Sequence, residues 1–416
     1  MRLIMCAWLF LAGFPLLWAS TPLTDALLQN RYKLAVDGSR LSGPGRDVLQ
    51  RAVSESHFVL VGEAHGSQEI PRFVAGLCAI AAPLGFHTLA IETGPLAAAK
   101  LHSWLGRPDR LHEFADFQRQ YPLSIPFYNW REENEMLSEC AQSIGLHSFH
   151  LWGLDQELFG ASGMILNDIL DAHLEKDAQA EAEHLLTKDK EAEAKANRTG
   201  NFHDLFMFSA NTADLDKLQD LLSKDGDAKA QSLLAAFMKS RDIYLKNMQG
   251  AYYESNRERA LLMKANLMHY MAAAAQGSTP PKVIFKFGDF HMYRGRNPMH
   301  SDEVGNLVSE IAESRQLQSL HILLVPVAGA QSRLAGVGKP SQPQTFDLKH
   351  DKDSDYLFLS PMFDSQVSGA WTMFDLRGLR SGFNSFGVID KNLERVIFGY
   401  DLLVLVPQAS ASRDIE

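Results

Sequence analysis

Short runs of apolar residues recur along the chain and predict the strands of a buried β-sheet. Residues 58–61 are four consecutive apolar positions, a pattern typical of a strand that is covered on both faces. Similar runs predict further strands at 88–93, 148–155, 282–288, 320–327 and 402–406. Apolar residues recur at helical spacing over 67–83, which predicts a helix packed on the sheet. A strand, a helix and a strand in this order predict a parallel pair with a right-handed crossover.

The pattern changes between about residues 160 and 277. This region is rich in Ala, Glu, Lys, Asp and Leu and contains few glycines or prolines, which predicts an all-helical insertion. Residues 21–57 predict a helical lead-in with a polar loop, and residues 328–353, rich in Gly, Pro, Ser and Gln, predict a mobile loop. The polar residues after 406 predict a disordered tail. The expected fold is α/β, a mainly parallel β-sheet flanked by helices, with a large helical insertion.

The first 20 residues have the pattern of a secretory signal. Arg2 supplies a positive charge, Leu3 to Trp18 are apolar, and the small residues Ala19 and Ser20 precede a polar segment. An uncleaved membrane anchor is the alternative, but the apolar stretch is short for a span of about 20 residues. We therefore expect a cleaved signal at 1–20, a mature domain at 21–416 with no stable membrane span, and export to the periplasm or the medium.

Composition and charge narrow the class of partner. The 416 residues are 46% hydrophobic and 22% charged, with a formal net charge of -10. Because no long basic run is present, we expect no nucleic-acid partner. After signal removal the cysteines are Cys78 and Cys140. They could pair in an oxidising compartment, but two cysteines make no disulfide framework, so we expect buried thiols.

Titratable residues follow four of the predicted strands, at the point where each strand ends. They are Glu63, His65, Glu92, Asp155, Asp289 and His291. With a strand period of two, Glu63 and His65 fall on one face. Because the carboxyl ends of parallel strands form the ligand crevice of an α/β sheet, we expect these side chains to lie together. A single such residue is more often a helix cap than a catalyst, and Asp155 and Asp289 are the weaker candidates.

These residue types suit the activation of water for attack on a small molecule. The sequence contains no Gly-x-Ser-x-Gly, no P-loop, no Gly-x-Gly-x-x-Gly and no His-Glu-x-x-His, so the enzymes that those motifs mark are not supported. His65 could accept a proton, with Glu63 or Glu92 orienting it and His291 as the partner acid. The same four side chains could instead ligate a divalent metal.

Two further segments belong to this hypothesis. Arg259 and Asn266 are seven residues apart before the fourth strand, so they share one helix face, where an arginine could anchor a carboxylate or an oxyanion. A solvated arginine is the alternative. The loop Tyr121-Pro-Leu-Ser-Ile-Pro-Phe-Tyr128 could line the pocket or could be a surface connection, and the sequence favours neither.

Five stretches resemble motifs of the erythromycin esterase-like and ChaN/Tiki-like superfamily, in the family's order. They are Val61-Gly-Glu-Ala-His-Gly66, Ala90-Ile-Glu92, Trp152-Gly-Leu-Asp-Gln156, Arg259-x-x-x-Met263-x-x-Asn266 and Phe287-Gly-Asp-Phe-His-Met292. The resemblance implies that Glu63, His65, Glu92, Arg259 and His291 occupy the family's active-site positions. It also implies that water is activated by the first-motif histidine, without a metal, for attack on an ester or lactone.

The resemblance departs from the esterases at two places. A single residue, Ala64, separates Glu63 from His65, where the esterases have one more. Gly288-Asp-Phe-His291 stands where the esterases tend to have His-Asn-x-His. The leading expectation is an exported hydrolase of a small-molecule ester, lactone or related carbonyl, without a cofactor. The alternatives are a ChaN-like haem or iron carrier, with Met292 and Tyr293 as candidate ligands, and a Tiki-like metal-dependent peptidase. The oligomeric state stays open.

Overall fold

A nine-stranded mixed sheet forms the centre of the computed structural model, which describes residues 22–125, 127–275 and 279–416. Its strands are β1 (Arg31–Asp37), β2 (Arg40–Ser42), β3 (Phe58–Glu63), β4 (Thr88–Ile91), β5 (His150–Gly153), β6 (Val283–Gly288), β7 (Ser319–Pro326), β10 (Trp371–Asp375) and β11 (Leu402–Val406). A separate antiparallel pair is formed by β8 (Ala328–Arg333) and β9 (Gln342–Asp347). The order in the large sheet is β2-β1-β10-β11-β7-β3-β6-β4-β5.

Six neighbouring strands, from β11 to β5, are parallel, and β2, β1 and β10 continue the sheet in antiparallel fashion at one edge. The predicted α/β class with a mainly parallel sheet is therefore confirmed. The prediction that β3 and β4 are neighbours is wrong, because β6 lies between them and pairs with both. The position of β6 in the sheet therefore brings its carboxyl end between the carboxyl ends of β3 and β4.

Helices cover both faces of the sheet. Those outside the insertion are α1 (Pro22–Gln29), α2 (Pro44–Glu55), α3 (Glu69–Ala81), α4 (Pro95–Trp104), α5 (Arg110–Gln120), α6 (Arg131–Ile144), α13 (Val304–Ser314), α14 (Ser360–Asp364), α15 (Arg377–Arg380) and α16 (Lys391–Gly399). Alternate residues of β3 divide between the two resulting cores. Val59 and Val61 pack with α2, α3 and α6, whereas Phe58 and Leu60 pack with α1, α13 and α16. Every residue of β3 is buried, which accounts for its continuous apolar run.

The segment between β5 and β6, where the sequence predicts a helical insertion, folds into a further group of helices. They are α7 (Ser162–Leu170), α8 (Lys176–Thr199), α9 (Phe206–Ser209), α10 (Thr212–Asp225), α11 (Ala228–Met248) and α12 (Tyr252–Ala274). The first five form a small apolar core of their own. Helix α12 instead packs Met263 and Leu267 against the sheet, so it carries its polar residues to the strand ends.

Four local predictions are wrong. The lead-in contains the β1–β2 hairpin as well as α1 and α2, since the apolar residues Leu34 and Leu41 pack on the sheet core. The predicted mobile loop at 328–353 contains the β8–β9 pair. The predicted disordered tail is hydrogen-bonded, with Ser412 N donating to Gly66 O at 3.0 Å. Polar composition alone did not reveal these partners, which are distant in sequence.

The cysteines are the fourth correction. Cys78 on α3 and Cys140 on α6 form a disulfide rather than two buried thiols. Helices α3 and α6 pack side by side on one face of the sheet and bring the two Cα atoms to 5.2 Å, which is within the usual range for a disulfide. The predicted signal at 1–20 lies outside the described residues. Within the described ranges, no helix is both long enough and apolar enough to cross a membrane.

Candidate active site

The side chains at the ends of β3, β4 and β6 meet around one carboxylate, that of Glu92. His65 Nε2 lies 3.3 Å from Glu92 Oε2, and His291 Nε2 lies 3.5 Å from Glu92 Oε1. The other ring nitrogen of His65 lies 2.8 Å from Glu63 Oε1, so the two side chains meet as predicted, although β3 ends at Glu63 and His65 lies in the turn that follows it. Each imidazole is therefore held between two carboxylates, because His291 Nδ1 also lies 3.1 Å from Glu303 Oε2.

Arg259 joins the strand ends to the helical insertion. Its Nη2 donates to Glu92 Oε1 at 2.7 Å, and its Nε donates to Asp155 Oδ1 at 2.9 Å. Two turns further along α12, on the same face, Asn266 Nδ2 donates to Leu154 O at 2.8 Å, so both residues of the predicted face contact the residues that directly follow β5. Asp155 holds the guanidinium group in place, whereas Arg259 itself lines a cavity that opens at the strand ends.

Asp289 also lines this cavity. Tyr356 donates its hydroxyl hydrogen to Asp289 Oδ2 at 2.8 Å, and Phe290 N donates to Asp289 Oδ1 at 2.9 Å. Burial raises the pKa of Asp289 to about 6, and these hydrogen bonds oppose the rise. The structure thus brings the seven residues selected from the sequence to one region, and three of them, His65, His291 and Arg259, contact Glu92.

A glycine makes the contact between the strands possible. A Cβ atom at Gly288 would lie 3.1 Å from His65 Nε2 and 3.2 Å from Glu92 Oε2. Gly288 N also donates to Glu92 Oε2, which fixes the carboxylate at the strand end. A Cβ atom here would be in tight contact with both groups and would require them to shift by a few tenths of an ångström, so glycine suits their close approach.

Sequence reasoning missed several contacts of the site. Lys286, which interrupts the apolar run of β6, is buried and pairs with Glu63 and with Glu133. A lysine within a strand covered on both faces was the available signal. Phe127 stacks on the His65 ring with a centroid distance of 4.1 Å. The loop at 121–128 therefore contacts the site and is more than a surface connection.

Charge pairing controls the protonation of both histidines. Burial alone would lower the pKa of His65, but the carboxylates of Glu92 and Glu63 outweigh it and raise this pKa to about 10. For His291, burial and Arg259 oppose the charged form, whereas Glu92 and Glu303 raise the pKa to about 9. Burial opposes the ionised form of Glu92, yet both imidazoles hold its pKa well below the ordinary value. The resting site at neutral pH thus contains two imidazolium ions around an ionised carboxylate.

A cavity of about 630 Å³ opens above these residues. Its floor is formed by His65, Glu92, Arg259 and His291, and the β8–β9 pair forms one wall with polar side chains such as Gln331. A larger cavity of about 1130 Å³ is lined partly by Ser332, also of β8, and its described lining contains none of the predicted site residues. Convergence of titratable groups, rather than size, marks the smaller cavity as the candidate site.

The donor set fits a resident divalent metal poorly. Two of the four candidate ligands, Glu63 and Glu92, are already paired with the cationic side chains of Lys286 and Arg259. A divalent ion would therefore add two positive charges beside cations that have compensated the carboxylates. Among the described residues, no group of three or more His, Cys, Asp or Glu side chains is arranged to hold a metal ion.

The two residues considered as haem ligands face the core instead of the cavity. Met292 is fully buried, and Tyr293 is 2% exposed. Both pack with the apolar residues on one face of the sheet, and Tyr293 lies edge-on to Tyr400 with a centroid distance of 4.8 Å. Neither side chain is part of the cavity lining, so neither is placed to ligate a haem bound there.

The comparisons with known proteins rest on structure. No family profile and no curated protein matches the sequence. A mutant of the erythromycin esterase EreC in its open conformation has a TM-score of 0.65 and 13% identity, covering 93% of this chain and 99% of its own. A Bacillus cereus protein has a TM-score of 0.62 and 14% identity, covering 94% of this chain and 98% of its own.

A protein described as a succinoglycan biosynthesis protein is the third similar structure. Its TM-score is 0.58 at 16% identity, and the match covers 95% of this chain and 98% of that protein. All three similarities extend over nearly the whole length of both chains, the helical insertion included. The resemblance that the five motifs indicated is thereby confirmed for the architecture. The chain has the erythromycin esterase-like fold.

Proposed function

We propose that this chain is an exported hydrolase that cleaves a carboxylic ester, a lactone or a related carbonyl group of a small molecule. The observation that carries the proposal is the position of Glu92 between His65 and His291 on the floor of a cavity. Paired imidazole and carboxylate groups of this kind transfer protons to and from a water molecule and a leaving group. The similarity to a protein named as an erythromycin esterase supports the same class of reaction.

His65 is the proposed general base. Water adds to the carbonyl carbon while its proton passes to Nε2 of neutral His65, and the bond to the leaving oxygen then breaks. With a pKa of about 10, about one molecule in a thousand carries neutral His65 at pH 7. We therefore expect kcat/KM to rise with pH through the neutral range.

His291 and Arg259 complete the proposed reaction. His291, with a pKa of about 9, keeps its proton at neutral pH and delivers it to the leaving alkoxide. The Arg259 side chain is 27% exposed and lines the cavity, where it stabilises negative charge on the carbonyl oxygen. Asp155 positions Arg259, and Asp289 contributes a further polar side chain to the cavity lining.

The disulfide supports the proposed export. Disulfides persist in the periplasm and outside the cell, whereas cytosolic thiols are kept reduced. The Cys78–Cys140 bond is therefore consistent with the signal that the first 20 residues resemble.

The test is a hydrolysis screen of purified mature protein on esters and lactones, with and without a chelator, after measurement of its metal and haem content. His65→Ala is compared with His147→Ala, which alters an exposed histidine. We expect chelator-resistant hydrolysis that is lost in His65→Ala and retained in His147→Ala, with both variants folded. Stoichiometric metal or haem without hydrolysis would overturn the proposal. Unfolding of His65→Ala would make that histidine structural.

A further inference from the structure

Lys286 is a charged residue at the centre of the parallel sheet. Its side chain is 3% exposed, and the carboxylates of its partners Glu63 and Glu133 are each 1% exposed. Lys286 Nζ lies 2.8 Å from Glu133 Oε1 and also donates to Glu63 Oε1. Because buried ion pairs are often no more stabilising than apolar side chains of similar size, stability alone does not account for this cluster.

One oxygen of Glu63 serves both the lysine and the histidine. Lys286 Nζ donates to Glu63 Oε1, and His65 Nδ1 lies 2.8 Å from the same atom. An oxygen that accepts a hydrogen bond from an ammonium group is held ionised by it and favours a hydrogen-bond donor at Nδ1. The separation of 2.8 Å at Nδ1, against 3.3 Å between Nε2 and Glu92 Oε2, points to Nδ1 as the nitrogen that keeps the hydrogen. In the neutral ring, the lone pair is left on Nε2, which faces Glu92.

We propose that Lys286 is a positioning residue that holds neutral His65 in the tautomer whose Nε2 can accept a proton. Glu133 accepts a second hydrogen bond from the ammonium group and keeps it at Glu63. Without the lysine, His65 would be the cation beside buried Glu63, and its Nδ1 proton would transfer to the Glu63 carboxylate, because a neutral pair costs less to bury than an ion pair. A protonated Glu63 would donate to Nδ1, and the hydrogen of the neutral ring would be on Nε2, where it blocks general-base catalysis.

The tautomer is measured directly by long-range ¹H–¹⁵N correlation NMR of the His65 ring. The wild type and the control are measured above pH 10, beyond the expected pKa of about 10, and the variant that lacks Lys286 is measured at neutral pH, where Glu63 can hold the transferred proton. The informative variant is Lys286→Met/Glu133→Gln, which removes the ammonium without leaving Glu133 as a second unpaired carboxylate. The matched control is Glu133→Gln, which disturbs the same buried cluster but keeps Lys286 beside Glu63. We expect the Nδ1–H form in the wild type and in the control, and the Nε2–H form in the double variant.

Two results would overturn the proposal. One is the Nδ1–H form in a double variant that is folded by its NMR spectrum. The other is the Nε2–H form in the wild type, which needs no variant and therefore decides the question even if the double variant does not fold. A structural role of Lys286 would change stability but leave the tautomer unaltered.

This inference rests on the proposed function only for the use of the tautomer. In the hydrolysis assay we expect the double variant to lose kcat by about 100-fold, the lower end of a general-base contribution, with little change in KM. Wild type that hydrolyses no ester but has the Nδ1–H form would refute the hydrolase and leave the role of Lys286 standing. Wild type that hydrolyses esters but has the Nε2–H form would refute the role of Lys286 and leave the hydrolase standing.

Discussion

Reduction of the Cys78–Cys140 disulfide is expected to lower the free energy of unfolding by about 4 kcal/mol. The bond links helices α3 and α6 across a sequence separation of 62 residues. Closing a loop of this length in the unfolded chain removes about 14 cal/mol/K of conformational entropy, which at room temperature corresponds to that free energy. The prediction depends on the disulfide itself, because two free thiols would not restrict the conformations of the unfolded chain.

Equilibrium unfolding in urea, with and without a phosphine reductant, measures this difference. The oxidised protein is expected to unfold at a higher urea concentration than the reduced protein, with both transitions monitored by circular dichroism and by fluorescence to test for intermediates. The control is Cys78→Ala/Cys140→Ala, in which the reductant is expected to have no effect. Thiol labelling of unfolded, unreduced mature protein should detect no free cysteine.

A refuting result is equally definite. If the wild type unfolds at the same urea concentration with and without reductant, and the unfolded protein contains two reactive thiols, Cys78 and Cys140 are not paired in solution. The expectation from the sequence, two buried thiols, would then be correct, and the support that the disulfide gives to export would disappear.

Two further predictions concern the charges of the site. Arg259→Met leaves buried Asp155 without its cation and takes one cation from Glu92, which keeps the two imidazoles. It should lower the free energy of unfolding by about 3 kcal/mol or more, against about 0.5 kcal/mol or less for the exposed Arg257→Met. Equal effects in urea unfolding would contradict the pairing. Since the pKa values of His65 and His291 are raised from 6.5 to about 10 and about 9, their contribution to stability is complete below pH 6.5 and is lost as the pH rises through those values. Unfolding midpoints from pH 6 to about 10 should therefore fall less steeply in His65→Ala than in the wild type, and parallel curves would refute the linkage.

The sequence by itself determined the features that depend on local periodicity. A strand buried on both faces is expected to be continuously apolar, so β3 and β11 were recognisable, and a polar residue directly after such a strand marks its end. The period of two placed Glu63 and His65 on one face, and the helical period placed Arg259 and Asn266 on another. These relations are set by backbone geometry over a few residues and require no knowledge of what packs nearby.

Only the tertiary structure decided which of these elements are neighbours. The order of the sheet places β6 between β3 and β4, and this alone sets Lys286 against Glu63 and Gly288 against Glu92. The disulfide, the hydrogen bonds of the tail and the β8–β9 pair likewise join residues that are far apart in sequence or lie in segments of polar composition. Their formation depends on the free energy of the whole packed structure. The sequence of a polar segment is the same whether it forms a solvated loop or pairs with a distant partner, so the sequence does not distinguish the two cases.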